Sequence, residues 1–170
     1  MNGGCPCPWP PLSTAEPHDR LSAKEPDMSE AALESLTEDE CLAMLQRTKY
    51  GRVAVVNEQG RPEIFPVNFV LHGRTVAFAT ASEVLQSRAP LGHVAFEADI
   101  IDPETREGWD VVVAGEGADI TEAVDQPSLQ TRAEPVEHWA PGTKDHWISI
   151  VNPQFTGRRL YKPVPTSTFY

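Results

Sequence analysis

The sequence is short of cations, of cysteines and of long apolar runs. Lysine and arginine together number 14 against 25 aspartates and glutamates, a formal net charge of −11 over 170 residues. Neutralising a phosphate backbone needs a basic face, and no dense Lys/Arg cluster is present, which argues against a nucleic-acid partner. The same deficit argues against an anionic membrane surface, whereas a phosphorylated small ligand needs only a few local cations and stays open. No apolar run approaches the roughly 20 residues of a membrane-spanning helix. The chain does not open with a basic stretch followed by an apolar one, so no secretory signal is expected. A cytoplasmic protein without a membrane partner is the expectation. Of three cysteines, Cys41 lies in a helical apolar pattern and is expected in the core. Cys5 and Cys7, in "GGCPCPWPP", sit too close for an easy disulfide and lack a second Cys/His pair at zinc spacing, so no metal site is predicted. Nucleophile elbow, Walker loop and dinucleotide glycine fingerprint are all missing.

What is present divides into a tail and one domain. Six of the sixteen prolines fall at or before Pro26, and "HDRLSAKEPDMSEAALE" carries too few bulky apolar residues to offset its ordering entropy. Residues 1–34 are read as a tail, with room for a short helix near Glu30 to Glu34. Residues 35–162 form the domain and 163–170 a C-terminal tail. The domain starts at "LTEDECLAMLQRTKYGR", where Thr37 is the N-cap, Glu40 completes a capping box and Leu36 staples against Cys41. Gly51 is expected to end this helix.

Strands follow: "RVAVV", "PEIFPVNFVL", "TVAFAT", "HVAFEADI", "WDVVVAGEGADI" and "HWISIVNPQFTGRRLY". The second and third are joined by a short "HGR" turn, and a helix covers "EAVDQPSLQTRAE" provided that Pro127 sits near its start. Short strands with close turns and few helices predict a mainly β, antiparallel barrel with flanking helices. Along the second strand Phe65, Val67, Phe69 and Leu71 share the interior face. Ile64, Pro66, Asn68 and Val70 share the other, whose apolar company makes a partner subunit or a ligand a better neighbour than bare solvent.

The order of "GRVAVV", "PVNFVLHG", "VAFAT", "VAFEADIIDPETREGWDVVVAGEGADI", "WAPG", "HWISI" and "TGRRL" resembles the pyridoxamine 5′-phosphate oxidase-like family of flavin-binding split β-barrels, over residues 36–161. The resemblance implies a homodimer-forming split β-barrel and an oxidoreductase acting on a small molecule. FMN, or in some members the deazaflavin F420, would lie in the groove between subunits. It implies that Pro66, Val67 and Asn68 flank the isoalloxazine ring and that Ala79, Thr80, Ala81 and Ser82 lie on the phosphate side. The neighbourhoods of Trp109 and of His146 and Trp147 would come from the partner subunit. No catalytic residue is assigned.

One departure weighs against the phosphate. Family members read like F-R-T-(small)-P-G-(S/T)-K-L where this chain has "FATASEVL". Ala79 replaces the phosphate-binding arginine, no lysine precedes Leu85, and Glu83 is acidic. Losing two charge-assisted hydrogen bonds costs about 3–6 kcal/mol, two to four decades of affinity. Arg52, Arg61, Arg74 and Arg88 are the candidate replacements. A relative that binds its ligand without a flavin, and a haem-binding relative using a histidine, remain open beside the oxidoreductase. For each candidate a structural role competes: a loop bond for Asn68, helix capping for Thr80 and Ser82, core packing for Trp109 and His146, and surface ion pairs for Arg158 and Arg159.

Overall fold

The computed structural model describes residues 32–162, so the cysteine pair of the tail and the C-terminal tail lie outside the described residues. The chain starts with strand β1 (Ala32–Leu36), antiparallel to the C-terminal end of the last strand with Leu36 opposite Gly157. This differs from the expected tail end and short helix. Pairing with a partner more than a hundred residues away decides the conformation, and local propensity does not register it.

Helix α1 (Glu38–Leu45) begins as expected: the Thr37 hydroxyl accepts from the Glu40 N–H, and the Glu40 carboxylate accepts from the Thr37 N–H at 2.8 Å. Its C-cap is Gln46, in right-handed helical conformation. Gly51 does not end it. That glycine lies inside β2 (Tyr50–Val56), where a Cβ would stand 2.4 Å from the Phe96 ring and 2.5 Å from the Glu97 carbonyl. The glycine is needed for a close approach of strand to ring and not for a helix cap.

The remaining strands are β3 (Pro62–His72), β4 (Thr75–Thr80), β5 (His93–Asp102), β6 (Glu107–Asp119) and β7 (His146–Tyr161). All neighbours are antiparallel in the order β1-β7-β4-β3-β2-β5-β6, and a further β6–β7 pairing closes β2 to β7 into a six-stranded barrel. The β3–β4 hairpin is one residue tighter than expected: His72 pairs with Thr75, leaving two turn residues. Gly73 takes φ 59° at the first of them, a conformation that side chains resist. Between β4 and β5 run α2 (Glu83–Arg88) and a single 3₁₀ turn. Helix α3 (Gln126–Ala133) starts after the Asp125 N-cap, with Pro127 in its first turn where its missing N–H costs nothing.

The core fills the barrel. Phe69 and Phe96 meet with ring centroids 4.7 Å apart, and Phe78, Leu45, Val53, Val111, Val113, Ile148 and Ile150 surround them, each 0–1% exposed. Each such side chain contributes about 1.5–3 kcal/mol by burial. Phe65, Val67 and Leu71 pack against this core as the alternation required, and Cys41 is fully buried. A second, smaller core lies outside the barrel: Val70, Ala77 and Trp147 pack beneath Ile120, Ala123 and Val136. The Arg132 guanidinium fastens this cover by donating to the carbonyls of Ile120 and Ala123. The outer face of the sheet is thus half covered and half bare. None of the described helices is long and apolar enough to cross a membrane.

Candidate functional site

The bare half belongs to β2 and β3. Strand register sets Tyr50 opposite Asn68, Arg52 opposite Pro66 and Ala54 opposite Ile64, so alternate residues of both strands crowd one surface. Ile64 is 69% exposed and Tyr50 39%, with Pro66 exposed between them. The loop after α3 brings in Trp139, 62% exposed, whose ring centroid lies 5.0 Å from that of Tyr50 at a 43° tilt. The Arg52 guanidinium is 5.9 Å from the Tyr50 ring centre. Its charge is spent elsewhere, on Glu97 and Asp99. Burial, then the nearby Asp99 charge, pushes the Glu97 carboxyl up.

Asn68 ties these pieces together. Its Oδ1 accepts from the Trp139 N–H at 3.1 Å, and its Nδ2 donates to the Lys49 carbonyl at 3.3 Å. One donor and one lone pair of the amide stay free for a ligand. Pro66 and Asn68 face outward, while Val67 between them packs on the barrel core. Ala79, one rung beyond the last β3–β4 pair and opposite Trp147, continues the row of Asn68 across the outer face, at only 3% exposure.

The other expected residues lie around the end of β4. Thr80 is buried, and its hydroxyl accepts from the Ser82 N–H at 3.0 Å. The Ser82 hydroxyl caps α2 by accepting from Leu85 N–H, and Ala81 is exposed beside it. His146 pairs with Thr80 across the strands, and its Nε2 is 3.1 Å from an Asp119 oxygen without hydrogen-bond alignment. Burial alone would raise the Asp119 carboxyl; the Thr121 hydroxyl and N–H and the His146 charge hold it below the usual range instead. Trp147 is locked through its backbone, donating to the Thr121 hydroxyl and accepting from Ile120 N–H. Trp109 is not on this face: it sits in the barrel core at 6% exposure, with its indole N–H unpartnered.

Among the described residues, three of the four arginines named as replacements are engaged elsewhere, and the fourth, Arg61, sits in the turn between β2 and β3. Arg52 is paired with carboxylates, Arg74 holds Glu38, and the Arg88 Nε donates to the Val56 carbonyl. Arg158 forms a two-pronged pair with Asp110, and Arg159 lies between Glu34 and Glu40. Among the described residues no cluster of His, Cys, Asp and Glu could hold a metal ion.

The sequence profile of the pyridoxamine 5′-phosphate oxidase family matches residues 37–159. The chain belongs to this family. A Mycobacterium smegmatis protein described as FAD binding is 33% identical, with a TM-score of 0.61; the match spans 74% of this chain and 98% of that one. The uncharacterised Mycobacterium tuberculosis protein Rv0080 is 33% identical over 131 residues, 74% of this chain and 84% of its own length. A candidate pyridoxamine 5′-phosphate oxidase from Corynebacterium glutamicum is 27% identical with a TM-score of 0.63, covering 78% of this chain and all of that one at 100%.

Membership in the pyridoxamine 5′-phosphate oxidase family raises the question of whether a flavin fits. The ring end fits: Tyr50, Asn68 and Trp139 offer exposed aromatic faces beside a half-free amide. The monoester end does not: Ala79 is buried, Glu83 opens α2, and the Thr80 and Ser82 hydroxyls, which already accept backbone N–H groups, have neutral O–H donors to offer in place of a cation. Neither Tyr50 nor Trp139 is among the residues expected to touch a cofactor; Trp139, with His138, was expected only near His146 and Trp147. Tyr50 was findable, since it shares the outward phase of β2 with Arg52 and Ala54; Trp139 stands in an irregular loop where no periodicity speaks.

Proposed function

We propose that the chain is a flavin-binding protein that works as a homodimeric cytoplasmic oxidoreductase on a small molecule. The flavin ring would lie along the outer face of β3, by Pro66 and Asn68. The observation that carries this reading is the 33% identity to a protein described as FAD binding, 98% of which is covered. The bare surface around Ile64 and Pro66 is where a second copy would close the groove, bringing His146 and Trp147 of each subunit toward the other's flavin.

The scarcity of cations around Ala79 supports one flavin over the others. FMN presents a monoester with about −1.5 to −2 charges, and among the described residues no cation is bonded beside Ala79 to answer it. FAD carries a similar total charge but spreads it over the two phosphorus atoms of a pyrophosphate, one charge apiece, so no single position needs a pair of cations. The anionic tail of F420 is disfavoured by a chain of net charge −11. A bound flavin would supply hydride or electron transfer. The residues would seat its ring against Asn68, back it through the core side with Val67, and offer the Thr80 and Ser82 O–H groups to its ribityl hydroxyls. A second reading, a groove that takes an unphosphorylated ligand without any flavin, is favoured by the same buried Ala79.

An absorption scan from 300 to 600 nm decides. Purified full-length protein, supplied with FAD, FMN or F420 and passed through gel filtration, should retain a yellow band, strongest with FAD. Protein that stays colourless with all three at high micromolar concentration would overturn the flavin reading.

A further inference from the structure

We propose that Trp139 is the face on which the isoalloxazine ring stacks, with Tyr50 as its backing, and that Asn68 is a positioning residue that holds Trp139 in place. The proposal rests on the flavin reading above and adds the residues that would grip the ring.

Three observations converge. First, Trp139 leaves 62% of its surface in water although the loop that carries it is fastened to the sheet. A large indole so exposed marks a contact surface, and Ile64, 69% exposed, lies further along the same outer face of β3 as Asn68. Second, the fastening acts on the right atom. The Asn68 amide holds the backbone N–H of Trp139 itself, across 71 residues of sequence, and reaches the Lys49 carbonyl next to Tyr50 with its other end. Pinning the backbone while leaving the ring uncovered cuts the ordering cost of a stacking contact. Third, the 43° tilt between the rings means that one planar ligand cannot lie flat on both. Trp139, the more exposed, therefore takes the ligand's face, and Tyr50 supports the indole from behind with Arg52 beyond it. An electron-rich indole against an electron-poor isoalloxazine is a favourable stack, and the free donor and lone pair of Asn68 lie at its edge. With no cation bonded at the phosphate end among the described residues, the ring contact carries a larger share of the affinity.

The test uses riboflavin, which has the ring and no phosphate, with the full chain. An indole in van der Waals contact quenches isoalloxazine emission by donating an electron to the excited ring. Bound riboflavin should lose most of its fluorescence in the native protein. W139L should bind it about tenfold more weakly, in line with aromatic stacking in other sites, and should recover the emission of the bound fraction. N68A should show the same recovery although the indole is still present. N68D, which keeps an oxygen to accept the Trp139 N–H, should restore the quenching; a merely structural role for Asn68 would not produce this pattern. Equal affinity and equal quenching in native and W139L protein would overturn the proposal while leaving flavin binding intact. So would a W139L protein that turns from dimer to monomer with the bound emission unchanged, since Trp139 would then be a subunit contact. Native protein that binds neither riboflavin, FMN nor FAD overturns this proposal together with the flavin reading.

Discussion

On the flavin reading the outer surface has a ring end, at Tyr50, Asn68 and Trp139, and a phosphate end, at the close of β4 and the start of α2, and the two use their side chains in opposite ways. At the ring end, side chains are exposed and only half their bonding capacity is spent: Trp139 is held by its backbone with its ring in water, and Asn68 keeps a donor and an acceptor. At the phosphate end the hydroxyls of Thr80 and Ser82 accept backbone N–H groups, Ala79 is sealed under its neighbours, and the local charge is Glu83. The barrel is the same under both, so the contrast does not come from the fold. It comes from which side chains the folded sheet leaves unsatisfied, and on the flavin reading proposed above it would place recognition at the ring rather than at the phosphate.

Substitutions at the closed end should break the contrast most severely. Ala79→Arg restores the family's cation but at a position 3% exposed. An unpaired charge there is expected to destabilise the protein by about 3–5 kcal/mol, read as a lower urea midpoint at unchanged slope. An unchanged midpoint would show that the arginine reaches solvent and that this end is not closed. Glu83→Lys is gentler, because residue 83 is exposed in the first turn of α2. It trades a repulsive carboxylate for one charge-assisted bond of about 1.5–3 kcal/mol, so FMN should gain about 10- to 150-fold over riboflavin. The native protein should bind FMN and riboflavin within about fivefold of each other, the spread expected when no charge-assisted bond is made. A native preference of several hundredfold for FMN would mean that a phosphate site exists elsewhere.

How legible this was depended on the distance over which each feature is decided. Thr37 and Glu40 settle the start of α1 within four residues, and the alternation of Phe65, Val67, Phe69 and Leu71 settles the inner face of β3; both read correctly. Pro127 at the start of α3 was readable for the same reason. Strand β1 was not, because it is a strand only by virtue of β7. Gly51 was misread because a glycine looks alike whether it caps a helix or admits a ring, and only Phe96 on a neighbouring strand distinguishes them. The candidate site divides in the same way. Motif order pointed to Asn68, Ala79 and Thr80, yet what each one touches is set by partners on other strands and loops, Trp139 for Asn68 above all.

The smallest effect expected is a pH dependence confined to the ring end. Burial, and then the Lys144 charge, holds the His138 imidazole below the usual histidine range. In the unfolded chain this histidine titrates near 6.5. Between that pH and its lower native value the unfolded or opened form binds more protons, so stability is full above about pH 6.5 and declines as the pH falls through this window. Asp119 cannot produce this decline: a carboxyl held below 3.8 loses its contribution only at still lower pH. Glu97, whose carboxyl is raised from 4.5 by burial and Asp99, acts with the opposite sign, losing stability as the pH rises. The residue next to His138 is Trp139, so protonation should first loosen the loop that carries the stacking face. Indole emission at 350 nm, followed from pH 7.5 to 5.0, should shift in the native protein, and His138→Gln should flatten the shift. A shift that survives in the variant would assign the transition to another group and leave the ring end no more sensitive to acid than the phosphate end.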